Sequence, residues 1–183
     1  SFEGNTAATL GGAMDFEQAY PTVTGCTFEQ NNAGEDGGAV CNREGLGGLS
    51  PIFDGCTFTS NSAGLDGGAM ANYSTAIITG CDLTQNLAGG QGGAMANFGP
   101  LPPVTDTRIC DNTLPQILGA FSDLGGNCIT ELCSDCDPPC PGDFDGSGVV
   151  DVSDLLAVIA GWDDPYNVND LLLVISQWNT ACP

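Results

Sequence analysis

FEQNNAGEDGGAV (residues 28 to 40) and FTSNSAGLDGGAM (58 to 70) decide how this chain is read, because the pattern returns as FEGNTAATLGGAM (2 to 14) and LTQNLAGGQGGAM (83 to 95). Each copy starts on an apolar residue, with Asn three residues on and Gly-Gly-Ala nine residues on. A weaker fifth copy opens at Ile109 with ICDN. The starts Phe2, Phe28, Phe58, Leu83 and Ile109 are 26, 30, 25 and 26 residues apart, yet the step to Gly11, Gly37, Gly67 and Gly92 never varies. Self-similarity at this period marks a repeat architecture. Length varies only after Gly-Gly-Ala, as in the insertion Arg43 to Leu49, so one side of each unit is fixed by packing and the other is an outward loop.

A helical repeat of this length would carry apolar residues at three- and four-residue spacing without glycine pairs, and these copies do not. Short strands fit better. Three to a coil of about 25 residues, broken at Gly and Asn corners, they make a mostly β chain, a parallel β-helix of about five rungs. The expected domains are the β-helix over residues 1 to 127, a Cys- and Pro-rich linker over 128 to 141, and a small α-helical module over 142 to 183. Asn5, Asn31, Asn61, Asn86 and Asn112 would stack as an amide ladder at the strand spacing of about 4.8 Å, the alternative being that each satisfies its own turn. Asn42, Asn72 and Asn97 form a second column. Phe28, Phe58 and Leu83 would make an inner stack facing a narrow wall of Ala39, Ala69 and Ala94. Cys26, Cys56 and Cys81 share one position, either as disulfides between rungs or as buried thiols.

These Phe-x-x-Asn and Gly-Gly-Ala motifs resemble the repeats of chlamydial-type polymorphic outer-membrane proteins over residues 2 to about 112. The resemblance implies a right-handed β-helix and a surface-exposed or adhesive role. No membrane barrel accompanies it.

Composition narrows the function. The chain has 183 residues with 23 Asp plus Glu, two Arg, no Lys and no His, for a formal charge of −21. A nucleic-acid or anionic-membrane partner asks for cations that are not there. Catalysis by a His base, imidazole zinc sites and Lys Schiff bases lack their central residue. Ten Cys point to disulfides formed in an oxidising compartment, hence a secreted or cell-surface protein. The longest aliphatic run, Leu171 to Ile175, is far short of the ~20 residues a spanning helix needs. The chain opens at Ser1 inside a rung with no charged and apolar leader, which reads as a processed chain or a fragment.

The strongest chemical motif is GDFDGSGVVDVSD, residues 142 to 154. Counted from Asp143, side-chain oxygens fall at loop positions 1, 3, 5, 9 and 12 (Asp143, Asp145, Ser147, Asp151, Asp154), with Gly148 at the sharp turn and the Val149 carbonyl as a further ligand. That spacing wraps Ca2+. VDVSDLLAVIAGW (150 to 162) recurs as YNVNDLLLVISQW (166 to 178), identical at seven of 13 positions. Two helices follow, with Ser153 and Asn169 as N-caps and Leu155, Leu156, Val158 and Ile159 facing Leu171, Leu172, Val174 and Ile175.

This module resembles a type I dockerin, which implies a cohesin-like protein partner. Dockerins recognise cohesins through polar residues at loop positions 10 and 11, here Val152 with Ser153 and Val168 with Asn169, so the two valines depart from the pattern. The repeat offset of 16 residues leaves no room for a second full loop. Either Asp163, Asp164, Asn167 and Asp170 hold a weaker ion, or Asn167 and Asp170 brace the turn. Cys140 and Cys182 flank the module and would clasp its ends as a disulfide.

Enzymatic function is not expected. A polysaccharide lyase on this fold would need a calcium cluster beside an Arg or Lys base, whereas Arg43 sits in an insertion and Arg108 near the last rung. The acidic residues Glu29, Glu35, Asp36, Asp66 and Asp82 read as scattered, without paired carboxylates at matched rungs. The expected function is a calcium-stabilised extracellular structural protein assembling end to end into a fibre or surface layer, as a homo-oligomer. The alternative is a carbohydrate-binding or cell-adhesion module using the insertion loops and Trp162 or Trp178, although the shared repeat position of the two Trp favours packing.

Overall fold

The structure, a computed structural model, describes residues 1–43, 50–136, 149–160, 168–176 and 178. The chain divides into two units, Ser1–Cys136 and Asp137–Pro183.

The first unit is a parallel β-solenoid of four sheets running its length. One sheet stacks Phe2–Glu3, Thr27–Glu29, Thr57–Thr59, Asp82–Thr84, Arg108–Cys110 and Cys128–Ile129. A second stacks Thr6–Ala7, Asn32–Ala33, Ser62–Ala63 and Leu87–Ala88. The third holds Met14–Phe16, Val40–Asn42, Met70–Asn72, Met95–Asn97 and Ile117–Leu118, and the fourth Thr22–Thr24, Ile52–Asp54, Ile77–Thr79, Pro103–Thr105 and Ser122–Asp123. Four turns carry all four strands, a fifth has three, and a sixth is begun. Each full turn therefore has four strands, one more than expected. The additional strand follows the variable loops, where a count forward from each repeat start loses register.

Registers bear out the repeat alignment: Phe2 pairs with Phe28, Phe28 with Phe58, Phe58 with Leu83, and Leu83 with Ile109. The rings of Phe2, Phe28 and Phe58 stack with centroids 4.9 and 4.7 Å apart and planes within 9° and 2°. Ala39, Ala69 and Ala94 are fully buried in the same core, making the narrow wall that such broad rings require. Burying a side chain the size of Phe58 contributes roughly 1.5–3 kcal/mol.

Each turn is built on a left-handed corner, at the residue before each ladder Asn: Gly4, Gln30, Ser60, Gln85 and Asp111 all have φ between 54° and 63°. The Asn itself does not take this conformation. In the Gly-Gly pair the two residues differ in purpose. Gly37 has φ +67°, while a Cβ on Gly38 would collide with the carbonyl oxygen of Gly68 in the next turn.

The solenoid extends beyond residue 127, because Cys128–Ile129 pairs with Arg108 and Ile109. Disulfides Cys110–Cys133 and Cys128–Cys136 then tie residues up to Cys136 onto the last turns. Cys26, Cys56 and Cys81 remain thiols, resolving the choice left open by spacing, and Cys41 is a fourth free thiol. Cys140 and Cys182 lie outside the described residues.

In the second unit, α1 (Val152–Ala160) and α2 (Val168–Ser176) enclose a small core of Val150, Val158 and Val174 with Leu155 and Leu171 against it. Leu156, Ile159, Leu172 and Ile175 are exposed, so the apolar stripes are wider than the helix contact. Trp178 is 43% exposed and Trp162 lies outside the described residues. No described helix is long and apolar enough to cross a membrane.

Candidate functional site

The amide ladder governs which surfaces the solenoid can present. Asn61 Nδ2 donates to Asn86 Oδ1 at 2.9 Å and to the Phe28 carbonyl at 3.0 Å, while Asn61 Oδ1 accepts the Asn31 backbone N–H and Nδ2. The same bonds join Asn5 to Asn31 and Asn86 to Asn112. At the far end Asn112 Nδ2 donates to Gln116 Oε1, and Gln116 Nε2 to the Thr130 carbonyl. The second column is incomplete. Asn72 Nδ2 reaches Asn97 Oδ1 at 3.0 Å, but Asn42 Nδ2 turns to the carbonyls of Ser74 and Thr75, leaving Asn72 Oδ1 buried without a hydrogen bond. Asn72 opens the sequon Asn-Tyr-Ser, yet its full burial withholds it from modification in the folded chain.

A cleft lies on the outer face of the third sheet. Met70 and Met95 point into the core, so Ala71 and Ala96 next to them face outward, yet these alanines are fully buried. One rim is the column Glu17, Arg43, Tyr73 and Phe98, the residues that follow the third strand in successive turns. Tyr73 and Phe98 stack at 4.7 Å with planes 23° apart. The other rim is the residue preceding each Gly-Gly: Leu10, Asp36, Asp66 and Gln91. Asp36 Oδ1 accepts the Asp66 N–H at 2.9 Å, Asp66 Oδ1 accepts the Gln91 N–H at 2.6 Å, and the Tyr73 hydroxyl donates to Asp36 Oδ2 at 2.6 Å, linking the rims. A cavity of about 450 Å³ is lined by Leu10, Glu17, Gln18, Arg43, Tyr73 and Phe98.

Asp36 and Asp66 thus do occupy matched rungs, contrary to the expectation of scattered acids. Each accepts a backbone N–H from the next turn, a structural use that spacing alone does not reveal. Their shared position before Gly-Gly was the available signal.

The electrostatics leave the cleft without an open cation. Arg43 forks onto Asp15, with Nε–Oδ1 2.8 Å and Nη2–Oδ2 2.5 Å, and lies 3.5 Å from Glu17. Arg108 forks onto Asp82 in the same way. Burial, reinforced by Asp36, holds the Tyr73 phenol above its ordinary range. Burial, with Asp15 nearby, pushes the Cys41 thiol up to about 12. Cys81 is also held above its usual value, by its hydrogen bond with Cys56 and by burial. These three groups stay protonated at neutral pH.

Of the calcium-loop residues, Asp143, Asp145 and Ser147 lie outside the described residues, as do Asp163, Asp164 and Asn167; Asp170 falls within α2. Val149, Asp151 and Asp154 are described. Asp151 precedes α1, and its Oδ1 accepts the Ser153 N–H at 2.7 Å while Asp154 Oδ2 accepts the Asp151 N–H at 2.8 Å. This reciprocal pair makes Asp151 the N-cap and Ser153 the second residue of the helix, correcting the expected cap. Asn169 likewise lies inside α2. Asp154 is fully buried. Both carboxylates accept backbone N–H groups at the helix start, and no cluster of three His, Cys, Asp or Glu forms among the described residues.

Residues 25–43 match the Chlamydia polymorphic membrane protein (Chlamydia_PMP) repeat. The match covers the second repeat from Gly25 to Arg43, including Phe28, Asn31 and Gly37. Repeats of this type belong to surface and outer-membrane proteins. No curated protein matches the chain, and no solved structure does. A β-solenoid carrying such a repeat fits a surface structural or adhesion protein.

Proposed function

We propose that this chain is a non-catalytic structural component of an extracellular or cell surface, stabilised by Ca2+ at Asp143, Asp145, Ser147, Val149, Asp151 and Asp154 and assembling end to end into a fibre or layer. The observation that carries this reading is the unbroken ladder from Asn5 to Asn112, in which polar side chains are committed to holding neighbouring turns. Both guanidiniums are committed too, each to the carboxylate of an adjacent turn.

Assembly has a physical basis in the first turn. Its strands Phe2–Glu3, Thr6–Ala7, Met14–Phe16 and Thr22–Thr24 stand at the sheet edges among the described residues. An edge of this kind offers backbone groups that a further coil or another copy can pair. Head-to-tail contacts that do not close generate filaments.

Negative-stain electron microscopy of the protein with calcium and then with chelator tests the proposal. Fibres with a subunit repeat of a few nanometres are expected, and their loss in chelator would make the cation part of the assembly. Isolated particles in both conditions would overturn end-to-end assembly. A second reading, an adhesion module, is favoured by the cleft at Tyr73 and Phe98. The dockerin-like module would supply a cohesin-like partner in either case, and binding to immobilised cohesin tests that separately.

A further inference from the structure

We propose that the cleft lined by Leu10, Glu17, Gln18, Arg43, Tyr73 and Phe98 binds a short neutral saccharide. This rests on the adhesion reading and deepens it, with recognition carried by the solenoid.

Volume comes first. About 450 Å³ lies within the range of clefts that hold small molecules, and suits one or two sugar rings better than a long polymer. Charge then chooses the class. An anionic ligand would meet the carboxylates of Asp15 and Glu17, and the cation that would have to balance it, Arg43, is already forked onto Asp15. A cationic ligand would have to compete with the Arg43 guanidinium, which already holds Asp15 and lies 3.5 Å from Glu17. A polyhydroxyl ligand avoids both conflicts, because each hydroxyl both donates and accepts. It can donate to Glu17 and to the Gln18 carbonyl, and accept from the Gln18 amide and the remaining guanidinium N–H groups.

The aromatic pair supplies the apolar component. Phe98 closes the stack and is 44% exposed, a large apolar surface beside polar groups. Such a surface covers the C–H face of a pyranose while the polar rim reads its hydroxyls. The Tyr73 hydroxyl is committed to Asp36, which fixes the ring and hence the Phe98 platform before any ligand arrives. The rim residues Glu17, Arg43, Tyr73 and Phe98 come from four successive turns, so the rigid stack of turns spaces them.

The test uses the full chain on an array of neutral and acidic oligosaccharides, followed by calorimetric titration with the neutral glycan retained best. Retention of neutral glycans over uronate-containing ones is expected, with Phe98→Ala weakening binding at least tenfold and Gln18→Ala several-fold. Both variants alter exposed side chains, and an unchanged melting temperature confirms that they fold. If neutral glycans bind and both variants bind as tightly as the parent, the cleft is not the site although adhesion stands. If no glycan is retained at millimolar concentration, the saccharide site and the glycan form of the adhesion reading both fall, while the fibre reading is judged separately by microscopy.

Discussion

Asn61 shows how one side chain is bound on both sides in this fold. Its amide donates to Asn86 and Phe28 and its oxygen serves two donors of Asn31, all within the buried interior. Asn61→Ala removes every one of these bonds and leaves several buried groups without partners, each costing about 1–3 kcal/mol. The variant is expected to lose about 3 kcal/mol or more, measured as a lowered urea midpoint at unchanged slope. Asn5→Ala, at an exposed position that accepts no ladder bond from an earlier turn, should lose about 1 kcal/mol or less. Equal losses at the two positions would show that the ladder is not the source. This column was legible in the sequence because a repeat places the same side chain at the same depth in every turn. The left-handed corner beside it was not, since Gln30, Ser60 and Gln85 carry no residue preference that announces a positive φ.

Elements tell a similar story with a different cause. The strands at Phe28, Asn32 and Val40 follow from their constant distance to the repeat start. The fourth strand, at Thr22, Ile52, Ile77 and Pro103, comes after loops of unequal length and is in register only when counted backward from the next start. In the second unit the helices follow from their apolar spacing, but residue type alone points to Ser153 as the cap, two residues late. Asp151 holds that place because a carboxylate can accept the Ser153 N–H while Asp154 returns a bond to it. Asp151→Ala is expected to cost about 1 kcal/mol in chelator, the worth of a helix cap. In calcium the cost should be larger, since a metal ligand goes as well; thermal melts followed by circular dichroism in both conditions provide the comparison. Equal losses with and without calcium would remove Asp151 from the ligand set.

For the whole molecule, charge is the largest imbalance. Two guanidiniums stand against 23 carboxylates, and each is already matched to a carboxylate of its own neighbouring turn. Those exposed pairs are screened by solvent and contribute little, so they do not cancel the repulsion among the rest. Raising sodium chloride from a few millimolar to 0.15 M shortens the screening length to about 8 Å. The melting temperature should rise by ~2–4 °C, on the order of 1 kcal/mol for a chain of this size. A flat or falling melting temperature would mean that the carboxylates are already compensated. The charge balance, unlike the outer cleft, can be counted from composition. The cleft cannot, because it joins residues whose sequence separation spans several turns and a variable insertion.

The amide ladder also has a direction. Asn5, Asn31, Asn61 and Asn86 each pass a side-chain hydrogen forward, to the amide oxygen of the next turn, and that oxygen takes its ladder hydrogens from the turn before. The series ends where Gln116 takes the hydrogen of Asn112 and hands its own to a main-chain carbonyl at Thr130. Gln116 thus ends the asparagine series: its longer side chain takes the last donor within the fifth turn and passes its own to the main chain of the sixth, so the polarity of the column is handed over to backbone.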